Sequence, residues 1–245
     1  MLFRSDGDAF VVNGQKIWTS TALDANHMFA LVRTDPALPK HEGLSFLLID
    51  LRVPGVTIRP ITNLGGHQEF CHVILDNVRS PRSYLVGDIN KGWDIARALL
   101  GFERIFVGSP KRCQYALGRL AHYARTTGLF DDAGFADRYA KVSADVEDLA
   151  ATFRRFVAVM TRGEKLGPEV SILKIWSTET LQRIGDLVLE AGAEMGALPG
   201  GHDFDGESID FVTPFYTGRW VTIGAGSSEI QRNIIARNVL RLPSK

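Results

Sequence analysis

The spacing of hydrophobic positions changes once along this chain. Up to about residue 88 they fall in short runs: "AFVVNGQKIWTS", "HMFALVRTD", "LSFLLIDL", "VTIRPITNL" and "FCHVILDNVRS". These runs are rich in β-branched and aromatic residues and are separated by Pro- or Gly-containing connections such as "DPALPKHEG" and "VPG". That is the pattern of strands. Asn13-Gly14, between two such runs, predicts a hairpin turn. So many strands in fewer than ninety residues predict an antiparallel sandwich or barrel fragment.

After "VGDINKGWD" the period becomes helical. Residues 92–126, 133–162, 168–197 and 227–241 each carry apolar positions three and four apart. Four helices with short links predict an antiparallel four-helix bundle, with "MGALPGGHDFDGESIDF" as a polar, Gly-rich loop. The expected fold class is therefore α+β: a partial β-domain over 1–88, then a helical bundle over 89–245. No internal repeat or low-complexity tract interrupts either part.

Composition narrows the function. Lys plus Arg equals Asp plus Glu at 28 each, so nothing suggests a polyanionic partner and no nucleic acid is expected. Cys71 and Cys113 form no CxxC, consistent with a reducing cytoplasm. The six histidines have no metal-ligand spacing, so no metal is expected. No apolar run is long enough to span a membrane, and Arg4, Asp6 and Asp8 interrupt any secretory h-region. A cytoplasmic globular protein is expected.

The stretch "IGAGSSEIQRNIIA" (223–236) sets a Gly-rich turn directly before a helix. Its exposed N–H groups could hold an anionic or carbonyl-like group, or Ser227 could be an ordinary N-cap. The motif alone leaves both open and makes the plain cap the simpler reading.

Several stretches together resemble the flavin-dependent acyl-CoA dehydrogenases. "VNGQKIWTS", "GLSFLLID", "PGVTIRPI" and "VILDNVRSPRSYLVGDINKGW" are similar to that family's middle β-domain, in order and spacing. "GFERIFVG" resembles the first helix of its C-terminal bundle and "GAGSSEIQRNIIARNVL" the last. The resemblance covers nearly the whole chain, and no counterpart of the family's N-terminal helical domain is expected in it. It implies FAD as cofactor, an acyl-CoA substrate and an electron-transfer flavoprotein or similar acceptor.

The resemblance also implies roles. The family removes the α-proton of a thioester with a carboxylate base. Many members place that base in the turn before the last helix, where this chain has Ala225. A minority, the isovaleryl-type and bacterial steroid-degrading enzymes, carry it in an "ER" pair on the first bundle helix, here Glu103-Arg104. These relatives also have "GAG" in the final turn, as this chain does at 224–226. Glu103 is thus the implied base, and Phe102, Ile105, Phe106 and Val107 predict an apolar setting for it. The alternative is a surface carboxylate paired with Arg104 or Lys111. The Ala225 N–H is implied to stabilise the thioester carbonyl, with Arg104 and Gly226 on the substrate and Ser227 and Glu229 against the flavin. Trp18, Thr19 and Ser20 match the strand that packs on the flavin ring; the alternative is an ordinary strand with a core Trp.

Two family features are missing. Thr127 in "YARTTGLFDD" stands where the family's pyrophosphate-binding Arg is expected. Leu189 and Ala193 in "LEAGAEMG" replace a Gln and a Gly. In the family both elements serve the neighbouring subunit's flavin, so their loss implies a heteromer with a second acyl-CoA dehydrogenase-like chain. A non-catalytic scaffold subunit, or a truncated fragment, is the alternative. Apolar residues beyond one stripe, Ile172, Ile175, Trp176, Ile234, Ile235 and Val239, predict an oligomer built through helices.

Overall fold

The computed structural model describes residues 2–243. The chain divides into two compact units, 1–100 and 101–245. The first unit is one seven-stranded sheet: β1 (Leu2–Asp6), β2 (Ala9–Ser20), β3 (His27–Arg33), β4 (Leu44–Asp50), β5 (Val56–Ile61), β6 (Phe70–Pro81) and β7 (Leu85–Val86). Its order is β5-β6-β2-β1-β3-β4-β7. Neighbours pair antiparallel except β1 and β3, which meet in parallel at Leu2 and Arg33. Alternation along β3 and β4 buries Ala30, Val32, Leu47 and Ile49, which join Phe10, Val12, Val73 and Val78 in one core. Each of these Val, Leu, Ile and Phe side chains contributes about 1.5–3 kcal/mol on burial.

The hairpin expected at Asn13-Gly14 is elsewhere. The turn is made by Gly7-Asp8, with Gly7 at φ +60° and Asp6 paired to Ala9. Asn13-Gly14 lies inside β2 at a register shift, where Gly14 takes φ +141°. Asn13 Oδ1 accepts from the backbone N–H of Asn77 across the strands at 2.8 Å. The left-handed freedom of Asn-Gly serves a bulge here rather than a turn.

In the second unit the segment expected as one helix over 92–126 is two: α1 (Gly92–Val107), which carries the chain from one unit into the next, and α2 (Lys111–Thr126). Between them a Cβ on Gly108 would lie 2.5 Å from Leu173 Cβ, so only glycine allows this approach. Pro110 then opens α2. There follow α3 (Ala133–Thr161), capped by Asp132, and α4 (Ser171–Ala191). The stretch expected as a loop holds a hairpin, β8 (Gly201–Phe204) and β9 (Glu207–Asp210), turned by Asp205-Gly206. Next come α5 (Thr213–Val221), which the hydrophobic period had not separated, and α6 (Ser228–Ile234), continued by a π-helical turn over Ile235–Val239. Helix α4 is central, touching α2, α3, α5 and α6. Leu117, Leu120, Leu149, Leu173, Ile184 and Phe211 form the core around it. The α+β architecture is as expected. Among the described residues no helix is long and apolar enough to cross a membrane.

Candidate active site

Trp18, Thr19 and Ser20 end strand β2, just past a second register irregularity. Lys16 pairs with Val73 and Thr19 with Cys71, so Ile17 and Trp18 together face His72 alone. This is a β-bulge, and Trp18 pays for it with φ +62°. The bulge turns both apolar side chains outward, Ile17 to 58% exposed and Trp18 to 60%. Trp18 keeps an edge-on contact with Phe70, ring centroids 6.0 Å apart. The core-Trp alternative therefore fails, because this indole is on the surface. Two large apolar side chains beside a strained backbone make an exposed apolar face.

In the second unit the turn 222–228 is held from inside. The Thr222 carbonyl accepts from Ser228 N at 2.9 Å, closing the loop. Gln231 Nε2 donates to Ala225 O at 3.3 Å and Gly226 O at 3.4 Å. Ala225 sits at φ +52° and Gly226 at +79°. With their carbonyls tied inward, the Ala225 and Gly226 N–H groups make no hydrogen bond to another of the described residues. Ser227 caps α6 by accepting from Ile230 N. The cap and the free N–H groups thus coexist, and neither of the two readings of this turn excludes the other. Glu229, in the first turn, lies below the usual carboxylate range, because its own backbone N–H and then the Ser227 hydroxyl bond to it. A polar depression of about 410 Å³ opens here, lined by Glu179, Gln182, Arg183, Thr222, Ser228 and Glu229. Ser228 Oγ and Gln231 Oε1 are buried in protein without a partner, a cost that a ligand's polar group would offset.

Glu103 and Arg104 lie near the C-terminal end of α1. Glu103 is half-buried and, among the described residues, forms no ion pair with Arg104, Lys111 or any other cation. Its expected apolar setting holds in part. Ile105 packs on the core, Val107 is half-buried, and Phe106 is 77% exposed. The Phe102 side chain lies outside the described residues.

The departures at Thr127 and Leu189 have local explanations. Thr127 ends α2 and spends its hydroxyl on Tyr123 O at 2.8 Å. Leu189 is half-buried, and a Cβ on Gly196 would approach its carbonyl at 2.6 Å. Neither offers charge to a phosphate. A larger hollow of about 510 Å³ lies between α2, α4 and the β8–β9 hairpin, and none of the candidate residues lines it. Four residues around the turn escaped the sequence reading: Lys174, Thr222, Ser228 and Gln231. For Lys174 a signal existed, since Ser171, Lys174, Ser177 and Thr178 are spaced like one helical face.

Residues 90–240 match the model of the acyl-CoA dehydrogenase C-terminal domain, and residues 1–78 that of the acyl-CoA dehydrogenase middle domain. The chain is 35% identical over 244 residues to acyl-CoA dehydrogenase IpdE1 of Mycobacterium tuberculosis, covering 97% of this chain and 61% of that protein. Among solved structures, the Tcur3481-Tcur3483 steroid ACAD superposes with a TM-score of 0.89 at 26% identity, over 99% of this chain and 63% of that one. The ChsE4-ChsE5 complex from Mycobacterium tuberculosis gives 0.84 at 27% identity, over 99% and 64%. The chain thus spans about three-fifths of the length of the proteins it matches.

Proposed function

The chain belongs to the acyl-CoA dehydrogenase family, and from that premise we propose that it takes part in FAD-dependent α,β-dehydrogenation of an acyl-CoA, as one subunit of a heteromer. The proposed substrate carries a bulky or branched acyl group, such as a steroid side chain or ring fragment. That choice rests on the neighbour named a steroid ACAD. The two-chain names of both structural neighbours support a second acyl-CoA dehydrogenase-like partner. The proposed family-domain boundary is at Asp88/Ile89, just before α1. An electron-transfer flavoprotein or similar acceptor is the proposed oxidant of the reduced enzyme.

Glu103 is assigned as the base: its carboxylate takes the α-proton, and the β-hydrogen departs as hydride. FAD, when bound, supplies the acceptor for that hydride. The Ala225 N–H donates to the thioester oxygen as negative charge develops there, with Gly226 and Arg104 against the substrate. Trp18, Thr19 and Ser20 are assigned as flavin contacts, and so are Ser227 and Glu229. The observation that carries this reading is the turn in which Gln231 ties two carbonyls inward while Ala225, at φ +52°, leaves its N–H unspent. A donor placed in advance needs no reorganisation when charge appears.

Glu103→Gln in the assembled enzyme tests the base. We expect kcat to fall about 10²–10⁴-fold, the usual contribution of a general base, with flavin absorbance retained. Turnover at the wild-type rate would remove Glu103 from the mechanism.

The Thr127 hydroxyl, spent on its own helix, favours a second reading in which the chain is a non-catalytic scaffold for a partner dehydrogenase. Absorbance spectra of the chain alone and co-expressed with candidate partners separate the two. Flavin that appears only on co-expression and contacts this chain supports the subunit reading, and flavin held wholly by the partner supports the scaffold.

A further inference from the structure

Lysine is the charged residue least at ease inside a protein, because its compact ammonium is strongly hydrated in water. Lys174, in the first half of α4, is nonetheless 0% exposed. It lies on the polar stripe formed with Ser171, Ser177 and Thr178. Its Nζ donates to the Thr222 carbonyl at 2.7 Å. Two helical turns further on, Gln182 Nε2 donates to the Thr222 hydroxyl at 3.1 Å. Helix α4 therefore grips one residue twice, by its main chain and by its side chain. That residue is the C-cap of α5 and the first of the turn that presents Ala225.

The same carbonyl also accepts from Ser228 N, where α6 begins. The turn thus has one anchor at its two ends, the Lys174–Thr222–Ser228 junction, and one in its middle, the Gln231 amide. Between Thr222 and Ser228 lie five residues, of which Ile223 and Gly224 donate their N–H groups to Trp220 O at 2.9 and 3.0 Å, and Ala225 and Gly226 have positive φ. A strained conformation persists only where its surroundings over-determine it. Burial pulls the Lys174 ammonium below the usual lysine range, while Glu229 and Glu179 draw it back and Arg232 opposes them. An apolar side chain would fill this space without that penalty. Packing alone therefore does not account for a lysine here.

We infer that Lys174 is a positioning residue: its buried ammonium fixes the Thr222 carbonyl and so aims the backbone N–H of Ala225. The inference rests on the role given to Ala225 above, and its first readout is independent of that role.

The test is hydrogen exchange by mass spectrometry on the full chain, with turnover of the assembled enzyme beside it. Lys174→Met removes the donor and, one heavy atom shorter, keeps an unbranched side chain. Amide exchange in 223–228 is expected to rise about ten-fold or more through local opening, with α3 unchanged. kcat is expected to fall about ten-fold as the donor drifts from its aim, with KM and flavin content unchanged. Lys174→Arg, which keeps a cationic donor, is expected to recover most of both. Should the Met variant not fold, Lys174→Gln, one bond too short to reach Thr222, is measured in its place with the same expectations.

Unchanged exchange in 223–228 would overturn the inference. So would faster exchange spread evenly through α3 and α4, since that marks a merely structural lysine. The two proposals fail separately. If Glu103→Gln turns over normally while Lys174→Met loosens the turn, the base assignment is lost and Lys174 keeps its role. If Glu103→Gln is inactive and the turn stays rigid without Lys174, the reverse holds.

Discussion

Trp18 and Ala225 are both non-glycine residues held at positive φ, at +62° and +52°, yet what they present differs. At Trp18 the strain pushes a large side chain out of the sheet, 60% exposed beside Ile17. At Ala225 the side chain is a methyl, and what is left is a backbone N–H without a hydrogen bond to another of the described residues, with the carbonyls of Ala225 and Gly226 tied back by Gln231. A bulge in a strand re-aims side chains because the pleat alternates them. A turn before a helix re-aims peptide groups because its first N–H groups have no helical partner. In the proposed function, the first kind of site would offer surface to a flat ring and the second a donor to developing charge.

The largest test of this contrast is Ala225→Pro. Proline holds φ near about −65° and has no N–H, so it removes both the conformation and the donor. Loss of one such donor costs about 10²–10³-fold in kcat, and we expect at least that. Ala225→Gly keeps the N–H and adopts positive φ readily, so its activity should stay within about three-fold of wild type. An active proline variant would show that the backbone at 225 has no part in the reaction.

Gly226→Ala probes the same turn through its packing. A Cβ there would lie 2.7 Å from Gln231 Nε2, at a φ of +79°. The amide must move off Ala225 O and Gly226 O, and the backbone is strained as well, which together cost about 1–3 kcal/mol. Thermal unfolding should record this as a lowered midpoint. An unchanged midpoint would mean that Gln231 does not secure the turn.

Why the strands and helices were legible while their joints were not follows from how each is encoded. The short apolar runs "HMFALVR" and "LSFLLID", bounded by turn residues, mark buried strands directly, and the helical stripes mark helices in the same way. Asn13-Gly14 misled because its conformational freedom suits a bulge as well as a turn, and the choice between them depends on pairing with Asn77, more than sixty residues away. The break at Gly108 is set by the approach of Leu173, which no local pattern contains. Site residues divide the same way. Glu103, Ala225 and Ser227 stand in short motifs that a family resemblance can match. Gln231 stands in the same final motif as Ala225 and Lys174 in none, but both act through folded contacts that a motif does not spell out.

Trp18→Ala sharpens the comparison from the first unit. The indole is mostly in water, so its removal should cost less than about 1 kcal/mol of stability. If the bulge exists to offer this face, flavin retention in the assembled enzyme should drop several-fold while the melting midpoint hardly moves. Loss of stability with flavin retained would make Trp18 a packing residue after all.

The smallest effect belongs to the far end of β4, where nothing is strained and charge alone acts. The Arg52 side chain donates to both Asp50 oxygens at 2.9 Å, and its backbone N–H adds a third bond. These contacts, the guanidinium first, hold Asp50 at about 2 against an ordinary 3.8. Because the folded value lies below the unfolded one, the stabilisation is complete above about pH 3.8 and is lost as pH falls through about 2. Both groups lie at the surface, where ion pairs are screened and weak. Arg52→Ala should therefore leave the melting midpoint at pH 7 nearly unchanged, while the Asp50 carboxyl, followed by carbon NMR, titrates at a higher pH. Failure of that upward move would remove Arg52 as its cause. A midpoint loss at pH 7 as large as that of Gly226→Ala would show that an exposed ion pair weighs as much as a buried turn contact, and the contrast between strained and ordinary sites would then lose its energetic basis.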